Sequence, residues 1–193
     1  TLETLLTDKI NELDQTISHL KSLRAVMSTK KQNMTTIRNI DISEFSVIEK
    51  PDAHYFVTVP TSHDTPFEKE IEMVVAETKK YQLRRLHDAS YGSILPVESL
   101  YSGNFSDYSA LYIELPFPTH RKGLHVQPKG KYLRAFCKGS WDNIAGRYKE
   151  ILAYAKEHDL KFYGSAYEKG INELVIDTPD DYITQIEIPV KDQ

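Results

Sequence analysis

Three short stretches of this chain recur in the same order, and that restricts the fold more than its composition does. Pro51-Asp52-Ala53-His54-Tyr55 is answered 77 residues on by Pro128-Lys129-Gly130-Lys131-Tyr132. Tyr91-Gly92-Ser93 returns unchanged as Tyr163-Gly164-Ser165, 72 on, and Ile113-Glu114-Leu115-Pro116 returns as Ile186-Glu187-Ile188-Pro189, 73 on. Matches in register at a nearly constant offset indicate an internal duplication, which must be tested before any other reading of the fold.

Both copies carry the same order of elements. In the first, strands near 45–50 and 55–59 precede a helix over about 67–87, whose Phe67, Ile71, Val74, Val75 and Leu83 keep helical spacing. Two strands follow, one of them Tyr108 to Leu115. In the second, strands around 124–127 and 132–137 precede a helix from Trp141 to His158, and two more strands close the chain. One helix on a small antiparallel sheet, repeated, predicts an α+β domain over 40–193 with both helices on one side and a ligand groove between the copies.

The first 32 residues differ in kind. Leu6, Ile10, Leu13, Ile17 and Leu20 are spaced four, three, four and three apart, the heptad pattern, with polar residues on the other faces. A seam this narrow asks for a partner helix, so residues 1–32 read as a coiled-coil dimerisation helix. The alternative is an amphipathic helix packed on its own domain. The helix is already under way at Thr1, which suggests a chain cut inside or just before it.

Composition excludes several functions. A formal charge of −4 opposes a nucleic-acid surface. The basic residues Arg121, Lys122, His125, Lys129, Lys131 and Arg134 therefore read as a solvated face. A single cysteine, Cys137, excludes a disulfide framework and, lying in an alternating apolar strand, reads as a small buried residue rather than a nucleophile. With no membrane span and no signal peptide, a cytoplasmic location is expected. The seven histidines make no metal-binding pair, there is no nucleotide or nucleophile-elbow motif, and neither a metal nor a cofactor is expected.

Strand alternation nominates the ligand-facing side chains. Leu111, Ile113 and Leu115 should face the helices, leaving Tyr108, Tyr112 and Glu114 toward the groove or solvent. Twelve tyrosines against one tryptophan suit pockets for flat ligands, although tyrosine is also simply a good strand residue. Glu168, beside Tyr167, is either an exposed strand carboxylate or a buried anion awaiting an organic cation.

The pieces resemble the effector-binding half of drug-responsive MerR-family transcription regulators, whose ligand domain is GyrI-like. The resemblance rests on Pro128 to Tyr132 with Lys138-Gly139-Ser140-Trp141, on Tyr163 to Glu168, and on Ile186 to Pro189, and it spans the whole chain. It implies an antiparallel dimerisation helix, a homodimer, and a glutamate at the position of Glu168 at the base of an aromatic pocket for lipophilic cations. It also places an aromatic, here Trp141, at the start of the second helix. Tyr55, Tyr91, Tyr112, Tyr167 and Tyr182 complete the expected ligand-binding set. Family members read promoter DNA through a winged helix-turn-helix that residues 1–193 do not contain, and they act by distorting an over-long promoter spacer. Competing expectations are a GyrI-like hydrolase using Glu168 with Tyr167 or Tyr112 as acid and base, and a protein-binding inhibitor using the same groove.

Overall fold

The computed structural model describes residues 1–37, 40–61, 67–80, 90–115, 122–172 and 178–191. Helix α1 (Leu2–Ile37) runs ahead of the sheet. Strands β1 (Ser46–Lys50) and β2 (His54–Pro60) lead to α2 (Phe67–Lys80), and β3 (Ser90–Pro96), the short α3 (Val97–Tyr101) and β4 (Ala110–Glu114) complete the first half. In the second half β5 (His125–Gln127) and β6 (Gly130–Lys138) precede a 3₁₀ turn at Trp141–Asn143, α4 (Ile144–Glu157), β7 (Ser165–Gly170) and β8 (Ile183–Pro189). The expected helix ending at His87 is present to Lys80; residues 81–87, Leu83 among them, lie outside the described residues, as do Pro116 and Arg121.

All eight strands join one antiparallel sheet, curled into a half-barrel, in the order β1-β6-β8-β7-β3-β4-β2-β5. Exchanging the halves, β1 for β5, β2 for β6, β3 for β7 and β4 for β8, reproduces that order read backwards. Each half lends its first strand to the other, since β1 pairs with β6 and β5 with β2.

Register corrects one repeat. Ile113 pairs with Tyr91, and its sequence counterpart Ile186 pairs with Glu168. The residue that answers Tyr91 is therefore Glu168, not Tyr163. The two Tyr-Gly-Ser runs also have different physical causes. Gly92 lies within β3 at a close approach to β7, whereas Gly164 precedes β7 with φ +67, a left-handed turn position that favours glycine.

Cross-strand partners share a face, so one row can be followed across six strands: Ala135, Ile186, Glu168, Ser93, Leu111, Val59. At one end this face packs under α4, where Leu133, Ala135, Ile186 and Ile188 meet Tyr148, Ile151 and Ala155. At the other it packs under α2, where Val57, Val59, Ile113 and Leu115 meet Val74. Both helices thus cover the same face, and the aliphatic half of β4 turns toward α2 as its alternation predicts. The opposite face holds Phe56, Ile94, Tyr112, Tyr132 and Tyr167.

Candidate ligand cavity

The row under the helices is apolar at its ends and polar at its centre. Where neither helix covers it, Glu168 and Ser93 stand side by side on β7 and β3, and a cavity of about 520 Å³ opens above them. Its walls include Glu70 of α2, Tyr91 of β3, Leu111 of β4, Trp141 of the 3₁₀ turn and Tyr182 before β8. A volume of this size is typical of small-molecule sites.

Glu168 is 4% exposed. Tyr148 of α4 donates its hydroxyl to Oε1 at 2.6 Å, Tyr108 donates to the carboxylate at 3.1 Å, and Ser93 donates to Oε2 at 3.2 Å. Among the described residues its partners are these three hydroxyls, and it forms no ion pair. Burial raises its pKa above the ordinary carboxylate value, and the three hydrogen bonds pull it back only in part. Burial, with the charge of Glu168 beside it, drives Tyr148 and Tyr108 well above the normal phenol range, so both remain donors.

Of the seven residues expected here, Glu168, Tyr91, Trp141 and Tyr182 line the cavity. Trp141 is 69% exposed, at the rim. Tyr112, Tyr167 and Tyr55 do not line it. Tyr112 is buried on the far face, stacked on Phe56 with centroids 4.2 Å apart. Tyr167 is its neighbour there, bonded to His125 Nε2 at 2.9 Å. The physical reason is alternation. The cavity lies on the helix face, so the residues opposite Leu111 and Ile113 point away from it, and Tyr167 and Glu168, being consecutive in a strand, cannot both point into it. Tyr55 lies on β2, three strands from β7, and pairs with Val126 of β5.

Ser93 and Tyr148 were not anticipated at the site, whereas Tyr108, expected toward the groove or solvent, does line the cavity beside Glu168. Tyr148 carries the clearest overlooked signal: a hydroxyl at helical spacing between Ile144 and Ile151, on a face that must be buried, requires a partner. Tyr108 lies just before β4 rather than in it, which frees its ring from the strand's alternation.

The far face is ionic. Glu187 accepts from Arg134 at 2.6 and 2.9 Å and pairs with Lys50 at 2.7 Å. Glu114, its counterpart at an offset of 73, pairs with His54 at 2.6 Å and Lys169 at 3.2 Å. These carboxylates are compensated, in contrast to Glu168. Cys137 is buried, and the described residues contain no group of three or more metal-ligating side chains.

Fold and cavity together define a curled-sheet domain with a small-molecule-sized cavity, carried behind a long helix. The chain is 24% identical over 193 residues to the multidrug-efflux transporter 2 regulator of Bacillus subtilis (strain 168), covering 97% of this chain and 68% of that protein. It overlays EcmrR in an EcmrR–DNA complex with a TM-score of 0.54 at 13% identity, over 98% of this chain and 72% of that one. The crystal structure of the EcmrR C-terminal domain matches with a TM-score of 0.55 at 13% identity, over 78% and 98%. A hydrolase from Listeria innocua shares the fold, with a TM-score of 0.51 at 12% identity over 77% and 92%. Residues 69–99 match the family RNA polymerase Rpb2, domain 3, a short stretch from α2 into α3 that leaves most of the chain unmatched. The chain is thus similar in sequence to a multidrug-efflux regulator and in fold to EcmrR.

Proposed function

We propose that this chain is the sensing and dimerisation part of a multidrug-type transcription regulator that binds lipophilic cations, with Glu168 as the charge-recognising group. The observation that carries the reading is a buried carboxylate at the floor of a cavity, held by neutral hydroxyls and, among the described residues, lacking a counter-cation. An organic cation entering over Tyr91 and Trp141 supplies that charge and gains cation–π attraction from the rings. Residues 1–32 form the dimer seam, and 40–193 form a duplicated, GyrI-like sensing domain. Promoter contact belongs to a DNA-binding domain outside this chain, the site of action is the cytoplasm, and the chain is not an enzyme.

The test is thermal shift of the full chain with tetraphenylphosphonium, using triphenylphosphine oxide as the neutral control. Binding to the folded state raises the melting temperature. Glu168→Gln should weaken the cation by about 1–3 kcal/mol, the range for a charge-assisted contact, and leave the neutral control unchanged. Equal losses for both probes remove the electrostatic role. The hydrolase reading draws on the same Glu168–Tyr108–Tyr148 contacts and on the Listeria fold neighbour; turnover of an ester or amide panel, lost in Glu168→Gln, would replace the sensor reading.

A further inference from the structure

Among the described residues, the charges lining the cavity do not balance for a ligand carrying one positive charge. Glu168 enters from β7 and Glu70 from α2, on separate walls. The first is buried, and the second is partly exposed. Neither forms an ion pair among the described residues. A third lining carboxylate, Asp107, is held against α3 by the Ser99 hydroxyl at 2.7 Å, which fixes its position without neutralising its charge. Lys169 is the one basic residue among the described lining residues, and its ammonium lies 3.2 Å from Glu114, whose other oxygen meets His54. Alternation along β7 directs Lys169 to the face opposite Glu168, so its charge is spent in that cluster. A monocation seated at Glu168 would leave Glu70 uncompensated across a cavity of about 520 Å³.

We propose that the cavity is selective for elongated dications, one cationic group at Glu168 and a second at Glu70, with the apolar middle of the ligand lying over Tyr91 and Leu111. This rests on the reading of the cavity as a cation site. Glu168 supplies binding of any lipophilic cation, and Glu70 supplies the preference for two charges.

The matched probes are decamethonium and decyltrimethylammonium, which share a ten-carbon chain and differ by one quaternary ammonium, titrated calorimetrically into the full chain below the micelle concentration. Decamethonium should bind about fivefold more tightly, the upper end for a partly exposed pair. In Glu70→Gln the ratio should fall to near one. Equal binding in the wild type, or a preference that survives Glu70→Gln, overturns the proposal. If tetraphenylphosphonium binds through Glu168 while decamethonium does not, the dication selectivity fails and the cation site stands. If no cation binds, the underlying reading fails and takes this one with it.

Discussion

The hydroxyl of Tyr148 meets Oε1 of Glu168 at 2.6 Å, a buried hydrogen bond between α4 and β7. It ties the floor of the cavity to the helix that covers one half of the sheet. Tyr148→Phe removes the donor without removing the ring, and it leaves a buried carboxylate short of one partner. The expected cost is about 1–3 kcal/mol in urea unfolding. In a Glu168→Gln background the same substitution should cost less, because the charge it served is gone. Equal costs in both backgrounds would assign the effect to the ring's packing.

Glu168 makes stability depend on pH above the carboxylate range. Its folded pKa is raised, chiefly by burial, so between the unfolded and folded values the native state holds the extra proton and stability falls as pH rises. Glu168→Gln, which resembles the protonated form, should therefore melt higher than wild type at pH 8, with the difference closing toward pH 4. For a chain this long each 1 kcal/mol reads as about 2–4 °C. A variant that melts lower at pH 8 would show that the ionised carboxylate is fully satisfied where it sits.

Glu187 and Glu114 act with the opposite sign. Burial alone would raise both, but Lys50 and Arg134 outweigh it at Glu187, and His54 and Lys169 bring Glu114 down to about 2. Their stabilisation is present above about 4.5 and is lost as pH falls through their lowered folded values, about 2 for Glu114. Glu187→Gln strands two cations, of which Lys50 is 13% and Arg134 30% exposed. The expected cost at pH 7 is about 2–4 kcal/mol, somewhat below that of breaking a fully buried pair, together with a shallower acid limb in a melting-temperature profile.

Much of this architecture was legible because strand and helix periods are local properties. The element order, the shared face of the two helices and the position of Glu168 in a strand all follow from them. Which face carries the cavity was not legible. That depends on where α2 and α4 stop covering the sheet, a tertiary fact that moved Tyr112 and Tyr167 to the far side. The Tyr-Gly-Ser repeat misled for a related reason: identical triplets served a close approach at Gly92 and a left-handed turn at Gly164. The register of Ile113 and Ile186 identifies the true counterparts.

Gly92 is needed for that close approach. A Cβ there would stand 2.0 Å from the backbone oxygen of Glu168 and about 2.4 Å from the ring of Tyr112. Gly92→Ala must push β3 away from β7 at the position that sets Glu168. The expected loss is about 1–3 kcal/mol, the range for overpacking a core, with weakened cation binding beyond what stability explains. Unchanged affinity in the folded fraction would separate the strand contact from the site.

The seam of α1 carries the last expectation. Leu6, Ile10, Leu13, Ile17 and Leu20 are each 49% exposed or more along a helix of 36 residues, about 54 Å at 1.5 Å per residue. Several large aliphatic side chains in one line form the kind of apolar stripe that marks an interface. A second copy fits because the heptad spacing is that of a two-helix seam. Leu13→Lys with Ile17→Lys places charge at the middle of the stripe and should convert a dimer to a monomer in sedimentation equilibrium. The melting temperature of the sheet domain should hold, since these residues do not belong to its core clusters. A wild-type chain that stays monomeric across the accessible concentration range would refute the dimer, and the stripe would then need a different partner.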